Sequence, residues 1–176
     1  MKNLNALRND LPDAAKDLKL NLQAVMRPGK LTADQCWGCA LASAYSLKDL
    51  DLAAAVLDDA KSAGVSEGVL DDAKAAAAIM GMNTVYYRFR HMIAHTNDKY
   101  ASLNPQLRMS RMAAVASDKA TFELMSMSCT ALAGCEMCIA SHEKTLLGHG
   151  LTEDHVHDAV RIAAVISGFS IGMTVG

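Results

Sequence analysis

The chain has 176 residues, the length of one domain at roughly 100 to 200 residues each. A domain of this size removes roughly 70% of its unfolded surface from water and needs no disulfide or metal staple, so its cysteines call for a chemical reading. The 17 Lys and Arg against 19 Asp and Glu give a net charge of −2. No basic block is longer than Arg88, Arg90 and His91, and a nucleic-acid partner, which needs clustered positive charge, is excluded.

Apolar residues make up 51% of the chain and aromatics 5%, with three Pro and 30 Ala. Alanine is the best helix former and β-branched aromatic runs are scarce, so the expected fold is all-α. Residues Met1 to Leu11 carry Arg8 and Asp10 where an export signal needs an unbroken apolar stretch. The longest uncharged apolar stretch, Ile162 to Gly176, is 15 residues, short of the roughly 20 that span a bilayer. The expectation is a cytoplasmic protein with no membrane partner, in a compartment where paired cysteines serve catalysis, redox chemistry or metal binding more than structure.

In chain order, Leu4, Leu7, Leu11, Ala15, Leu18 and Leu22 form the apolar stripe of a first helical segment, with Pro12 near its entry. Arg27-Pro28-Gly29-Lys30 breaks it. Thr32 with Gln35 offers a capping box that opens a helix through Ser46. The next helix runs from Asp49 to Ser62 and stops at Gly64, and Ser66 then caps a helix through Ala75–Ala78 towards Arg88. Asn97 to Pro105 reads as a connector before helical sequence resumes.

The second half repeats the first. Gly64-Val65-Ser66-Glu67 corresponds to Gly150-Leu151-Thr152-Glu153, 86 positions later. Asp72-Ala73 maps onto Asp158-Ala159, and Ala77-Ala78-Ile79-Met80 onto Ala163-Ala164-Val165-Ile166, at the same spacing. Any two capped helices share some of this punctuation, but the constant offset favours duplication. The expected architecture is therefore a single 1–176 domain, a helical bundle of two related units at about 32–92 and 118–176, with a site in one unit only being that unit's specialisation.

The chemistry-bearing constellation is Cys135-Glu136-Met137-Cys138 with His142 downstream and Glu123 upstream. Gly134 is placed to end the apolar helix Phe122 to Ala133, and the cysteine pair then opens the next helix. Unpaired N–H groups and the helix dipole favour an anion there and lower a thiol's pKa. His142 follows Cys138 by four residues and Cys135 by seven, so all three share a helix face. An imidazole beside Cys138 can take its proton, and Glu123 can orient the imidazole. Two thiols three residues apart can close a disulfide, as a cycle of oxidation and resolution requires. The competing readings are two buried cysteines that only fill a helix interface and a zinc site, for which a fourth ligand is hard to find downstream.

Cys36-Trp37-Gly38-Cys39 resembles a second pair but lies within a helix with no His in the next two turns, and is read as structural. A four-thiol zinc site joining it to Cys135 and Cys138 is conceivable. Cys129 reads as core. His91 and His95, four apart, have no acid or Cys partner in sequence and read as a solvated face. His155 and His157 point to different faces. The methionines read as core filler, and Tyr86-Tyr87-Arg88-Phe89-Arg90 as packing with an exposed Arg edge.

The sequence resembles the AhpD alkyl hydroperoxide reductase family, within the wider carboxymuconolactone decarboxylase-like group. The resemblance covers nearly the whole chain. It is carried by Leu11-Pro12 through Leu22, Trp37-Gly38 with Leu41-Ala42-Ser43-Ala44, Ala77 through Asn83, Tyr87-Arg88, Phe122-Glu123-Leu124, and the Cys135, Cys138 and His142 set. It implies an all-helical subunit with an internal repeat, assembled as a homotrimer, that reduces organic hydroperoxides. Electrons would pass from the dihydrolipoyl group of a lipoyl-bearing acyltransferase to an AhpC-type peroxiredoxin, with no bound cofactor or metal. Carried over, Cys138 is the thiol oxidised to a sulfenic acid. Cys135 is the more accessible thiol, which resolves it and exchanges with partners, and Glu123 and His142 are the proton relay. Many members carry a His immediately before the second cysteine, where this chain has Met137, so that branch of the relay is absent or falls to water or Glu136. The alternatives are a carboxymuconolactone decarboxylase-like lyase with Glu123 and His142 as acid and base and idle cysteines, and a helical interaction module with no chemistry.

Overall fold

A computed structural model describes residues 1–27 and 29–175. Pro28 of the expected break and Gly176 at the end of the apolar stretch lie outside the described residues. The chain is 78% helical with no strand among those residues. Its helices are α1 (Lys2–Asp10), α2 (Lys16–Val25), α3 (Ala33–Leu47), α4 (Leu50–Ser62), α5 (Glu67–Ala94), α6 (Lys99–Ser102), α7 (Ser110–Ala113), α8 (Lys119–Ala133), α9 (Glu136–Gly148) and α10 (Glu153–Thr174).

The first stripe is not one helix. Proline cannot donate to a helical ladder and forces the residue before it out of the α region, so Leu11 sits at φ −59 and ψ 136 and the chain restarts through a 3-10 turn at Asp13–Ala15. The α1 N-terminus has no side-chain cap of its own. The buried Asp59 of α4 serves instead, accepting from Asn3 N at 3.0 Å and Leu4 N at 2.9 Å.

The core is built by α3, α5, α8 and α10 packing on one another. Every residue from Cys36 to Ala44 on α3 and from Thr121 to Thr130 on α8 is buried, the mark of helices enclosed on all sides. Small residues let them close in. A Cβ on Gly38 would lie 2.9 Å from Met125 Sδ, which gives the glycine of Cys36-Trp37-Gly38-Cys39 a packing role. The α10 helix is long and apolar enough to cross a bilayer by length and composition. Here it packs on α2, α3 and α8, with Gly172 against Leu11 and Ala15.

The capping box of Thr32 and Gln35 opens α3, with Gln35 N 3.2 Å from Thr32 Oγ1 and Thr32 N 3.0 Å from Gln35 Oε1. Ser66 makes no side-chain cap on α5, because its hydroxyl donates to Asp34 Oδ2 at 3.0 Å. The α5 helix runs past Arg88 to Ala94, and the connector after it contains two short helices, α6 and α7.

Helix bounds recur at the 86-residue offset: α3, α4 and α5 begin at 33, 50 and 67, and α8, α9 and α10 at 119, 136 and 153. Lys48 and Gly134, equally spaced, end α3 and α8 in the left-handed conformation, with φ 60 and 62. Two aspartates brace the units against each other. Asp72 of α5 accepts from Ala116 N and Ser117 N, at 3.0 and 2.7 Å, in the loop before α8. Its counterpart Asp158 of α10 accepts from Lys30 N at 3.4 Å in the loop before α3.

Candidate active site

Gly134 ends α8 at φ 62, a conformation that favours glycine. Cys135 N then donates back to Thr130 O at 3.2 Å, and Cys135 becomes the N-cap of α9. In the first unit the equivalent slot holds Asp49, whose carboxylate accepts from Leu52 N at 3.0 Å. A thiolate at Cys135 therefore stands where the fold elsewhere stabilises a carboxylate, at the positive end of a helix. Cys135 and Cys138 form a disulfide, with Cα atoms 5.3 Å apart, within the span such a bond requires. The first unit has Trp37, Leu52 and Val56 at the slots of Glu123, Cys138 and His142, all buried core.

Glu123 on α8 and His142 on α9, 19 residues apart in sequence, meet with His142 Nδ1 2.5 Å from Glu123 Oε2. Lys119, one turn before Glu123, holds the other oxygen, with Nζ 2.9 Å from Oε1. Lys119 also donates to Met112 O at 2.9 Å. Burial alone would raise the Glu123 carboxyl. The hydrogen bonds from His142 and Lys119, with their charges, outweigh it and hold the group below the ordinary carboxylate range. An ionised Glu123 accepts the proton on His142 Nδ1, so Nε2 is the ring nitrogen left for proton exchange.

His142 and Cys138 line a cavity of about 280 Å³ whose walls also include Met80, Asn83, Tyr87, Met109, Met112, Met137 and Ser141. Met109 and Met112 come from the connector. Arg111 ties that segment to α5 by ion pairs with Asp71 Oδ2 at 2.7 Å and Asp72 Oδ1 at 2.6 Å. Lys119, Asn83 and Tyr87 join the site only through the fold. The i, i+4 spacing of Lys119 to Glu123, and of Asn83 to Tyr87, was the available signal. Tyr87 is also a wall of this cavity, while the aromatic run packs Tyr86 edge-on against Tyr87 and leaves Arg88 exposed.

Two further expectations change. Cys135, expected to be the more accessible thiol, is fully buried in the disulfide form, while Cys138 is 8% exposed. The tight turn after α8 places Cys135 at the N-cap of α9, where it is enclosed. Glu136 does not replace the missing histidine. It is an exposed side chain turned to His91, with Oε2 3.8 Å from Nε2. His91 thus has an acid neighbour, supplied by α9 and invisible in its own segment. His155 accepts from Thr152 N at 3.2 Å and helps cap α10.

Cys36, Cys39 and Cys129 are buried free thiols. Burial, with Asp158 nearby, pushes Cys36 up to about 11. Burial pushes Cys129 up to about 12 and raises Cys39 further still. No three His, Cys, Asp or Glu side chains converge as metal ligands among the described residues, so the four thiols do not make the conceivable zinc site. Since only the thiolate reacts, the oxidised native protein at pH 8 is expected to bind no iodoacetamide within minutes, and to show three alkylated cysteines after unfolding. Rapid native labelling of Cys36 or Cys39, seen by peptide mapping, would contradict this.

A disulfide-forming CxxC at a helix start, backed by a buried carboxylate and imidazole, defines an all-helical thiol protein of redox type. Residues 99–173 match the model of the carboxymuconolactone decarboxylase family. The chain is 49% identical over 173 residues, 98% of its length and 91% of the relative's, to a protein of Anaeromyxobacter sp. (strain K) named Alkyl hydroperoxide reductase AhpD. Proteins of that name from Anaeromyxobacter dehalogenans (strain 2CP-C) and Maricaulis maris (strain MCS10) are 48% and 46% identical, over 98% and 93% of this chain and 91% and 93% of their own. The chain belongs to the AhpD family.

Proposed function

We propose that the protein is an alkyl hydroperoxide reductase working through a Cys135–Cys138 dithiol cycle. The supporting observation is the disulfide-bonded pair at the α9 N-terminus, with His142, hydrogen-bonded to Glu123, lining the same cavity as Cys138. His142 Nε2 takes the Cys138 proton, and the thiolate attacks the terminal oxygen of the hydroperoxide. The O–O bond breaks, Cys138 becomes a sulfenic acid, and the alkoxide leaves as alcohol with the proton returned by His142. Cys135 then attacks the sulfenic sulfur, releasing water and closing the disulfide. A dihydrolipoyl dithiol borne by an acyltransferase restores both thiols and is itself oxidised to the cyclic disulfide. The reduced pair passes its electrons to an AhpC-type peroxiredoxin, in a cytoplasmic homotrimer.

The cavity walls of thioethers, an amide, a phenol, a hydroxyl and an imidazole suit an uncharged hydroperoxide. The matched family's description brings in the lyase reading, in which Glu123 and His142 act on a lactone acid while the cysteines stand idle. One experiment separates the two. Reduced protein is given one equivalent of organic hydroperoxide, alkylated and mapped by mass. Loss of two thiols confined to the Cys135–Cys138 peptide, reversed by dihydrolipoamide, is expected, and five alkylatable thiols would turn the assignment towards the lyase.

Met137 stands in the cavity wall and is 39% exposed, and a thioether shuttles no protons. Met137→His is therefore expected to move the optimum of peroxide turnover to lower pH by about one unit, because an imidazole titrates near neutrality. An unchanged pH profile would show that the position has no part in proton transfer.

A further inference from the structure

Asn83 lies midway along α5, one turn before Tyr87, with only 6% of its surface exposed. Its amide nitrogen faces Met112 Sδ at 3.9 Å, a weak acceptor. Its Oδ1 is shielded from solvent and has no hydrogen-bond partner among the described residues. A buried acceptor without a donor is costly, and native proteins keep few of them. Asparagine is also a poorer helix former than the leucine or alanine that would fill the space. Asn83 lines the cavity that holds Cys138 and His142, and a turn of its amide about the soft χ2 torsion brings Oδ1 to a donor that enters that cavity.

We propose that Asn83 is a hydroperoxide-binding residue, whose side-chain oxygen accepts the O–H of the substrate and so holds the terminal oxygen against Cys138 Sγ. The inference rests on the peroxide reading of the site. A hydroperoxide carries a single O–H donor, on the oxygen the thiolate must attack. Fixing that hydrogen leaves the O–O bond free to align with the incoming sulfur, with the alkyl group against Met80, Met109 and Met112. The step balances as above: sulfur bonds to the terminal oxygen, which keeps its hydrogen, the O–O pair departs on the alkoxide, and His142 protonates it. Asn83 contributes neither proton nor electron, and its effect is on orientation.

Asn83→Leu, close in volume and without polar atoms, tests this on the full reduced chain with tert-butyl hydroperoxide. The second-order rate of Cys138 oxidation is expected to fall roughly 10-fold to 100-fold, the loss of one buried hydrogen bond. The pH profile of Cys138 alkylation by iodoacetamide and the rate of disulfide reduction by dithiothreitol should stay as in the parent. Tm should hold or rise, because an unpaired acceptor has been removed. Asn83→Asp, which keeps an acceptor in place, should recover most of the rate per thiolate. Asn83→Ala carries the same rate expectation as leucine should the larger side chain not be tolerated. An oxidation rate within twofold of the parent would overturn the inference. So would a parallel loss of Tm, alkylation and oxidation, which is the signature of a structural asparagine. Parent protein inert to the hydroperoxide would remove the functional reading itself, and the inference with it.

Discussion

Cys138→Ser is expected to lower hydroperoxide turnover by on the order of 10³-fold or more, because a serine hydroxyl is not ionised at neutral pH and does not attack a peroxide oxygen. Cys138 is small and lies at the cavity surface of α9, so the variant should fold with a Tm near that of the parent. Cys135→Ser should behave differently: it still forms a sulfenic acid at Cys138, consumes one equivalent of peroxide and stops, since nothing closes the disulfide. Intact mass after a sulfenic-acid trap separates the two variants. Steady peroxide turnover by Cys138→Ser would place the reacting sulfur elsewhere.

Glu123→Gln should cost on the order of 10²-fold in kcat/KM, the range expected when a general base loses the group that tunes it. The amide carries no negative charge to pair with the imidazolium that forms when His142 takes the thiol proton, and it leaves the Lys119 ammonium without its partner. The same variant makes a stability prediction. The folded-state pKa of Glu123 is lowered, so its contribution is fully present above the ordinary carboxylate value, about 4.3, and is lost as pH falls through the folded value. Parent and variant should therefore differ by roughly 1–3 kcal/mol at pH 7, from the weakened buried hydrogen bonds. The gap should close well below pH 4, where both side chains are neutral. Thermal unfolding at the two pH values measures it, and a gap that widens on acidification would show that Glu123 is not held ionised by His142 and Lys119.

Much of this protein is written in short-range chemistry, and short-range chemistry can be read from sequence. Alanine content and helical spacing determine the all-helical class. Gly134, φ 62 in the structure, and the capping residue Thr32 mark helix ends because they satisfy backbone groups within a turn of themselves. Cys135, Cys138 and His142 fall on one helix, so their shared face follows from 3.6 residues per turn.

What sequence could not supply is whatever depends on which helices become neighbours. Lys119 on Glu123, Glu136 beside His91, the aspartate braces between units and the burial of Cys135 were all decided by packing. The cavity is the clearest case: α5, α9 and the connector each contribute walls, and only long-range hydrophobic burial brings those segments together. Residues such as Asn83 and Tyr87 look like ordinary helix positions in one dimension. Their environment, and hence their chemistry, exists only after the bundle has closed around them.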